Sequence, residues 1–387
     1  MNMKDRLGLV AGALLIATWA HVGAEPIVPT KDYEVIEVLP ASAGGRSELR
    51  NMRKLAAAKP ADARLAAVLA RRYLDLARRH GDPRFAGQAL VAIAAWEHEA
   101  SPPADVMLVR ATVQQFLHRF DEAKGTLQQL LARPEGEVNG QAWLALATVL
   151  RVQGRLDESD QACRGIPKSA EQYRRACLAE NQGLKGRIAT ARREFSELLA
   201  ERAPSSSARS WVLTSLAELE QRDARGPAAE AAFRAALDVE PSAFVAVDVA
   251  DLLIDLHRPL DAMHVLDGYE RTDAVLLRLA IASRDAKSPY AAEFAKEMRE
   301  RIAQANLRPD SRILHGREQA LFALHVDGDA KAALVLAIGN VQYQREAIDL
   351  LILARAASAA GDAAGLAQAK TLQKEIGLYD RRIDAVH

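Results

Sequence analysis

Large rings are scarce in this chain: Phe, Tyr and Trp make up 5% of 387 residues, and only two cysteines are present. A chain of this length exceeds what one core can organise, so it needs either two domains or an elongated array whose units pack only on their neighbours. A vocabulary dominated by Ala, Leu and Arg, with few β-branched runs, forms helices and favours the array. Charge of one sign is missing too, since 51 Lys and Arg stand against 51 Asp and Glu. No field therefore draws nucleic acid or anionic lipid, and neither is expected as a partner. Catalytic signatures are absent as well. There is no HExxH, no GxSxG, no CxxC and no Gly-rich phosphate loop, so no enzyme activity and no cofactor are expected.

The start of the chain reads as an address. MNMKDR gives a short positive beginning, LGLVAGALLIATWA is a 14-residue apolar run, and Val22, Gly23 and Ala24 supply small residues before Glu25. The run is shorter than the roughly 20 residues a bilayer-spanning helix needs. It reads as a cleavable signal peptide over residues 1–24, cut near Ala24, which places the mature chain in the periplasm or outside the cell without an integral membrane segment. Residues 25–60 begin with EPIVPTKDYEVIEVLP, where prolines bracket a Val-Ile-Val alternation. That pattern fits an extended segment lying along the first helices, or a disordered leader, and a short helix at Ser47 to Ala58 follows.

From about residue 61 the punctuation recurs. Gly154-Arg155-Leu156 is echoed by Gly186-Arg187-Ile188, Arg225-Gly226-Pro227, His257-Arg258-Pro259, Gly328-Asp329 and Gly361-Asp362. Four large-small pairs, Leu146-Ala147, Leu178-Ala179, Leu216-Ala217 and Val249-Ala250, fall 32, 38 and 33 residues apart. Such a period means stacked helical hairpins. With Trp143, Leu146, Ala147 and Gly154, and with Phe233, Ala236 and Pro241 in FRAALDVEP, the unit resembles the tetratricopeptide repeat. The small residue lets the two helices cross closely and the proline ends the second.

The resemblance implies an all-α, right-handed superhelical solenoid of about eight to nine hairpins. Residues 61–271 carry the repeats, best matched from 104, with a lengthened turn expected at RRHGDPRFAG; residues 272–387 are degenerate repeats and a C-terminal cap. For function it implies a scaffold that binds a protein or peptide in its concave groove.

Cys163 stands in the second helix of one hairpin, where Phe195 and Phe233 stand in the next two. Cys177 lies 14 residues on, in the first helix of the following unit. On facing helices in an oxidising compartment the pair is expected to be bonded, with two small buried thiols as the alternative.

A second pattern appears when the units are stacked. Tyr173, Trp211 and Phe244 each precede a large-small pair, and Glu180, Glu218 and Asp251 each follow one, seven residues later. Seven residues turn a helix by about 700°, so aromatic and acid share a face. In this family that face lines the groove, making the six residues a candidate partner-binding strip; packing between hairpins is the alternative for the aromatics and a solvated face for the acids. Two readings of function follow. One is an exported scaffold that holds a protein segment, within a cell-envelope assembly or export machine. The other is an enzyme or metal-handling subunit with a site near His315 and His325. His257, Asp261 and His264 flank one turn, where a solvated surface explains them better than a metal.

Overall fold

The computed structural model describes residues 45–387 except 135, 137 and 309. The signal peptide at 1–24 and the extended segment at 25–44 lie outside the described residues. The chain divides after Arg50, and every hairpin belongs to the unit Asn51–His387. After α1 (Gly45–Ala58) the helices run as α2 (Ala63–His80) with α3 (Pro83–Ala92), α4 (Ala104–Phe116) with α5 (Phe120–Leu131), α6 (Asn139–Val152) with α7 (Leu156–Gly165), and α8 (Glu171–Leu184) with α9 (Ile188–Ala200). They continue as α10 (Ser206–Arg222) with α11 (Gly226–Val239), α12 (Ala243–Asp255) with α13 (Pro259–Leu266), and α14 (Asp273–Asp285) with α15 (Ala291–Ala305). The last pairs are α16 (Ser311–Phe322) with α17 (Ala330–Asn340) and α18 (Ala347–Ala360) with α19 (Ala363–Ile376), before a terminal turn α20 (Arg381–Asp384). Among the described residues this is an all-α solenoid of nine hairpins. None of these helices is long and apolar enough to cross a membrane.

One local device makes every hairpin. A single residue in the left-handed region ends each first helix: Gly81, His118, Gly154, Gly186, Ala224, His257, Lys287, Gly328 and Gly361. The next residue's N–H then reaches back into the helix, as from Arg155 to Leu150, Arg187 to Gln182, Arg225 to Glu220 and Arg258 to Leu253, each at 2.8 Å. These bonds satisfy carbonyls that a helix end otherwise leaves open. In the fifth hairpin the reversal sits on Ala224 rather than on the Gly226 that the sequence pattern singles out. The lengthened turn expected after Arg78-Arg79 is also a short one, because Gly81 reverses the chain and Asp82 caps α3 through its side chain.

Five residues after seven of the nine reversals comes a small side chain that is fully buried: Ala86, Ala123, Ser159, Ala191, Ala229, Ala262 and Ala333. They let the second helix lie close on the first, where Ala147, Ala179, Ala217 and Ala250 are buried in turn. Nine residues after the reversal stand Leu127, Cys163, Phe195, Phe233 and Leu266, all at 1% exposure or less. Cys163 thus fills a seam position, and its sulfur lies at bonding distance, 2.01 Å, from that of Cys177 on α8.

The two halves of the array also meet. The N–H of Arg345 donates to the carbonyl of Val152, and that of Tyr379 to the carbonyl of Leu184, both at 2.7 Å. Those carbonyls end α6 and α8 at equivalent places, beside the turn glycines 154 and 186. Tyr379 Oη adds a bond to Asp223 in the next turn at 2.8 Å, and Arg355 reaches Asp255 at 2.8 Å. Leu156 and Leu184 join the apolar cluster of α18 and α20 around Leu350 and Ile383.

Candidate functional site: the central cavity

Closure turns the concave face into a cavity of about 840 Å³. Its wall takes residues from the first helices of seven successive hairpins, α6 to α18, so the face that a solenoid normally opens to a groove is here wrapped around an interior space. The wall carries polar side chains among apolar ones because each of these helices turns one mixed stripe inward. On α10 the stripe is Trp211, Thr214, Ser215, Glu218 and Arg222, and on α12 it is Phe244, Asp248, Asp251 and Asp255. Spacings of three, four and seven residues keep each set on one face.

Five of the six residues of the candidate strip, Glu180, Trp211, Glu218, Phe244 and Asp251, line this cavity. The aromatics do not form one open row. Tyr173 and Trp211 stack with ring centroids 6.2 Å apart and share a small cleft between hairpins with Leu198, Leu199 and Pro204. Trp211 Nε1–H donates to Glu180 Oε1 at 2.9 Å. Phe244 differs, with 68% of its surface exposed.

Nor are the acids a free row. Glu180 accepts from Ser215 Oγ–H at 2.6 Å and pairs with Arg151 from the preceding hairpin. Asp251 is gripped by both Nε and Nη2 of Arg278 from the following one, at 2.9 and 2.8 Å. Arg317 likewise holds Glu346 and the fully buried Asp349. The sequence shows the acids but not these arginines, which lie about one repeat away; that repeat-length spacing between opposite charges is the signal that was there to find.

Two acids escape this pairing. Glu218 has only a long contact of 3.6 Å with Arg222, one turn along the same helix. Its side chain keeps 43% of its surface open, yet burial still dominates its pKa and raises it, Arg222 opposing and Glu180 adding to the rise. Both facts hold because the open surface faces the cavity rather than bulk solvent. Asp248 has an Oδ2 that is buried and without a partner in the protein. Burial, then the charges of Glu218 and Asp251, push its carboxyl well above the usual range. Arg222 is 6% exposed and its Nε also lacks a partner in the protein. Neither Asp248 nor Arg222 was singled out from sequence.

His325 lines the cavity, where burial and then Arg355 lower its pKa. Among the described residues no three His, Cys, Asp or Glu side chains come together to hold a metal, and this includes His315, His325 and the turn with His257, Asp261 and His264.

No protein-family model matches the chain, and no curated protein matches it. Among solved structures it is similar to pilF of Pseudomonas aeruginosa, at 18% identity and TM-score 0.38 over 51% of this chain and 90% of that one. The Cut9 and Hcn1 hetero-tetramer of the APC/C matches at 13% identity and TM-score 0.45, over 82% of this chain and 63% of that one. A human IFIT1 dimer with PPP-AAAA matches at 12% identity and TM-score 0.48, over 86% and 78%. What types the fold is the hairpin itself, as in a tetratricopeptide solenoid: a left-handed reversal in each of the nine among the described residues, a small buried residue five positions on in seven of them, and close crossings at Ala147, Ala179, Ala217 and Ala250.

Proposed function

We propose that this chain is an exported scaffold that holds an extended segment of a partner protein at its central cavity. The observation that carries the reading is Phe244, a large ring left 68% exposed on the cavity wall. Exposed rings at the edge of a concave site are what partner anchors look like before they are covered. The apolar start of the chain and the Cys163–Cys177 pair support an oxidising, extracytoplasmic location. Glu180, Glu218 and Asp251 serve this reading as a polar frame around the anchors Trp211 and Phe244, with Tyr173 stacked behind Trp211.

Photo-cross-linking tests it. A benzoylphenylalanine at position 244 should trap a partner in cells that make the protein, whereas the same group at Val91, equally open but on α3, away from the cavity wall, should not. Equal trapping from both positions, or none from 244, would remove the support for a partner at the cavity.

A further inference from the structure

The cavity wall sorts its carboxylates into two groups. Glu180, Asp251, Asp255 and Glu346 each have an arginine partner within hydrogen-bond distance. Asp248 has a buried oxygen without a protein partner, and Glu218 has only its 3.6 Å contact. Unpartnered polar groups in a buried wall cost stability, and an interior that satisfies so many of its neighbours has no structural need for these two. Nε–H of Arg222, one turn from Glu218 on α10, is a buried donor in the same condition. Phe244 lies one turn before Asp248 on α12, on the same face, with its ring open.

Asp248, Glu218 and Phe244, which all line the cavity, specify a ligand. Two carboxyls without a cation at hydrogen-bond distance ask for one, and an open ring beside the acids covers an aliphatic stem or takes a cation on its face. Among the described residues no three ligand-type side chains meet to hold a metal, and an organic cation suits a pair of carboxyls beside an open ring. An anion would meet Glu218, Asp248 and their paired neighbours instead. We propose that the cavity seats a lysine or arginine side chain of the bound segment, its cation on Asp248 and Glu218 and its stem on Phe244. This rests on the peptide-holding function above and narrows it to segments with a basic residue.

Short end-blocked Gly/Ser peptides with one central residue, Lys, Arg, norleucine or Glu, test the proposal by calorimetric titration of the full chain. Lys or Arg peptides should bind, and norleucine and Glu peptides should bind about tenfold more weakly or worse, the effect of losing one charge-assisted hydrogen bond. Asp248→Asn should lose the preference by a similar factor while its melting temperature holds or rises. Glu218→Gln should weaken the same peptides, and Phe244→Ala should weaken Lys and norleucine peptides alike.

Binding without charge preference, or unaffected by Asp248→Asn, would overturn the basic-residue proposal and leave the scaffold reading standing. No binding by any peptide, with cross-linking at 244 also silent, would take both down. If free arginine binds as tightly as the arginine peptide, the site reads a small basic molecule and the peptide proposal is wrong.

Discussion

The seams between hairpins and the wall of the cavity are built from the same helices by opposite rules. At the seams side chains are mostly apolar, small where helices cross and large where they do not, and positions recur: alanine or serine five residues after seven of the reversals, and Leu, Cys or Phe nine after those at 118, 154, 186, 224 and 257. Along the wall many side chains are charged, and beside the recurring acids Glu180, Glu218 and Asp251 the pattern changes from hairpin to hairpin: nine residues before the reversal stand Ser215 on α10, Asp248 on α12 and Arg278 on α14. Repetition marks what the array needs to stand. Its loss marks what one place in the array does alone.

The largest effects should come from breaking a seam. Leu253 is fully buried on α12, and Leu253→Ala should cost about 2 to 5 kcal/mol, the transfer term plus the cavity left behind. Denaturant unfolding measures it; a loss below about 1 kcal/mol, close to the scale of surface substitutions, would mean the seams are not where stability resides.

The next effect tests a seam position that carries a bond. Replacing Cys163 and Cys177 together by alanine should cost about 3 kcal/mol by the chain-entropy argument for a loop of this length. Reductant should lower the melting temperature of the native chain and leave that of the double variant unchanged. Two free thiols by mass in protein taken from its own compartment would remove the bond altogether.

The wall should respond in the other direction. Asp248→Asn should stabilise the protein by about 1 kcal/mol at neutral pH, the scale of one unsatisfied buried polar group. The sign in pH follows from the raised folded-state pKa. Between the unfolded value of about 3.9 and the folded value the native state holds the extra proton, so this group's contribution is most favourable below the unfolded value and declines as pH rises through the folded one. The gap between native chain and variant should therefore close at acid pH. A variant less stable than the native chain at neutral pH would show that Asp248 is satisfied after all.

The smallest effect sharpens the account of the reversals. Ala224 holds a φ of 58°, a region that penalises any Cβ, so Ala224→Gly should gain up to about 1 kcal/mol. Gly154→Ala should lose, because its φ is 75° and the added carbon would stand 3.0 Å from Ile376.

The same contrast explains what could be read in the sequence. Leu146-Ala147 and Gly154-Arg155 announce the hairpins because crossing distance and chain reversal are local demands, met by residue types at fixed offsets. Glu180, Glu218 and Asp251 could be placed on the face of their aromatic neighbours by spacing, and turned inward by the resemblance to the repeat family. Their fate could not be read so easily, since Arg151 and Arg278 come from other hairpins and only the stacking brings them within reach. The closure was invisible for a deeper reason. Its donors at Arg345 and Tyr379 are main-chain N–H groups, which every residue but proline carries, so no letter of the sequence marks them.

Those two main-chain bonds change what kind of mechanical object the molecule is. An open solenoid is a spring: a guest can widen its pitch a little at every joint, and many guests of different girth find a fit. Clasped at the turns that end α6 and α8, the inner helices become the staves of a hoop whose bore is set before any guest arrives. A hoop selects by gauge, and it releases what it holds only through its mouth or by unfastening the clasp.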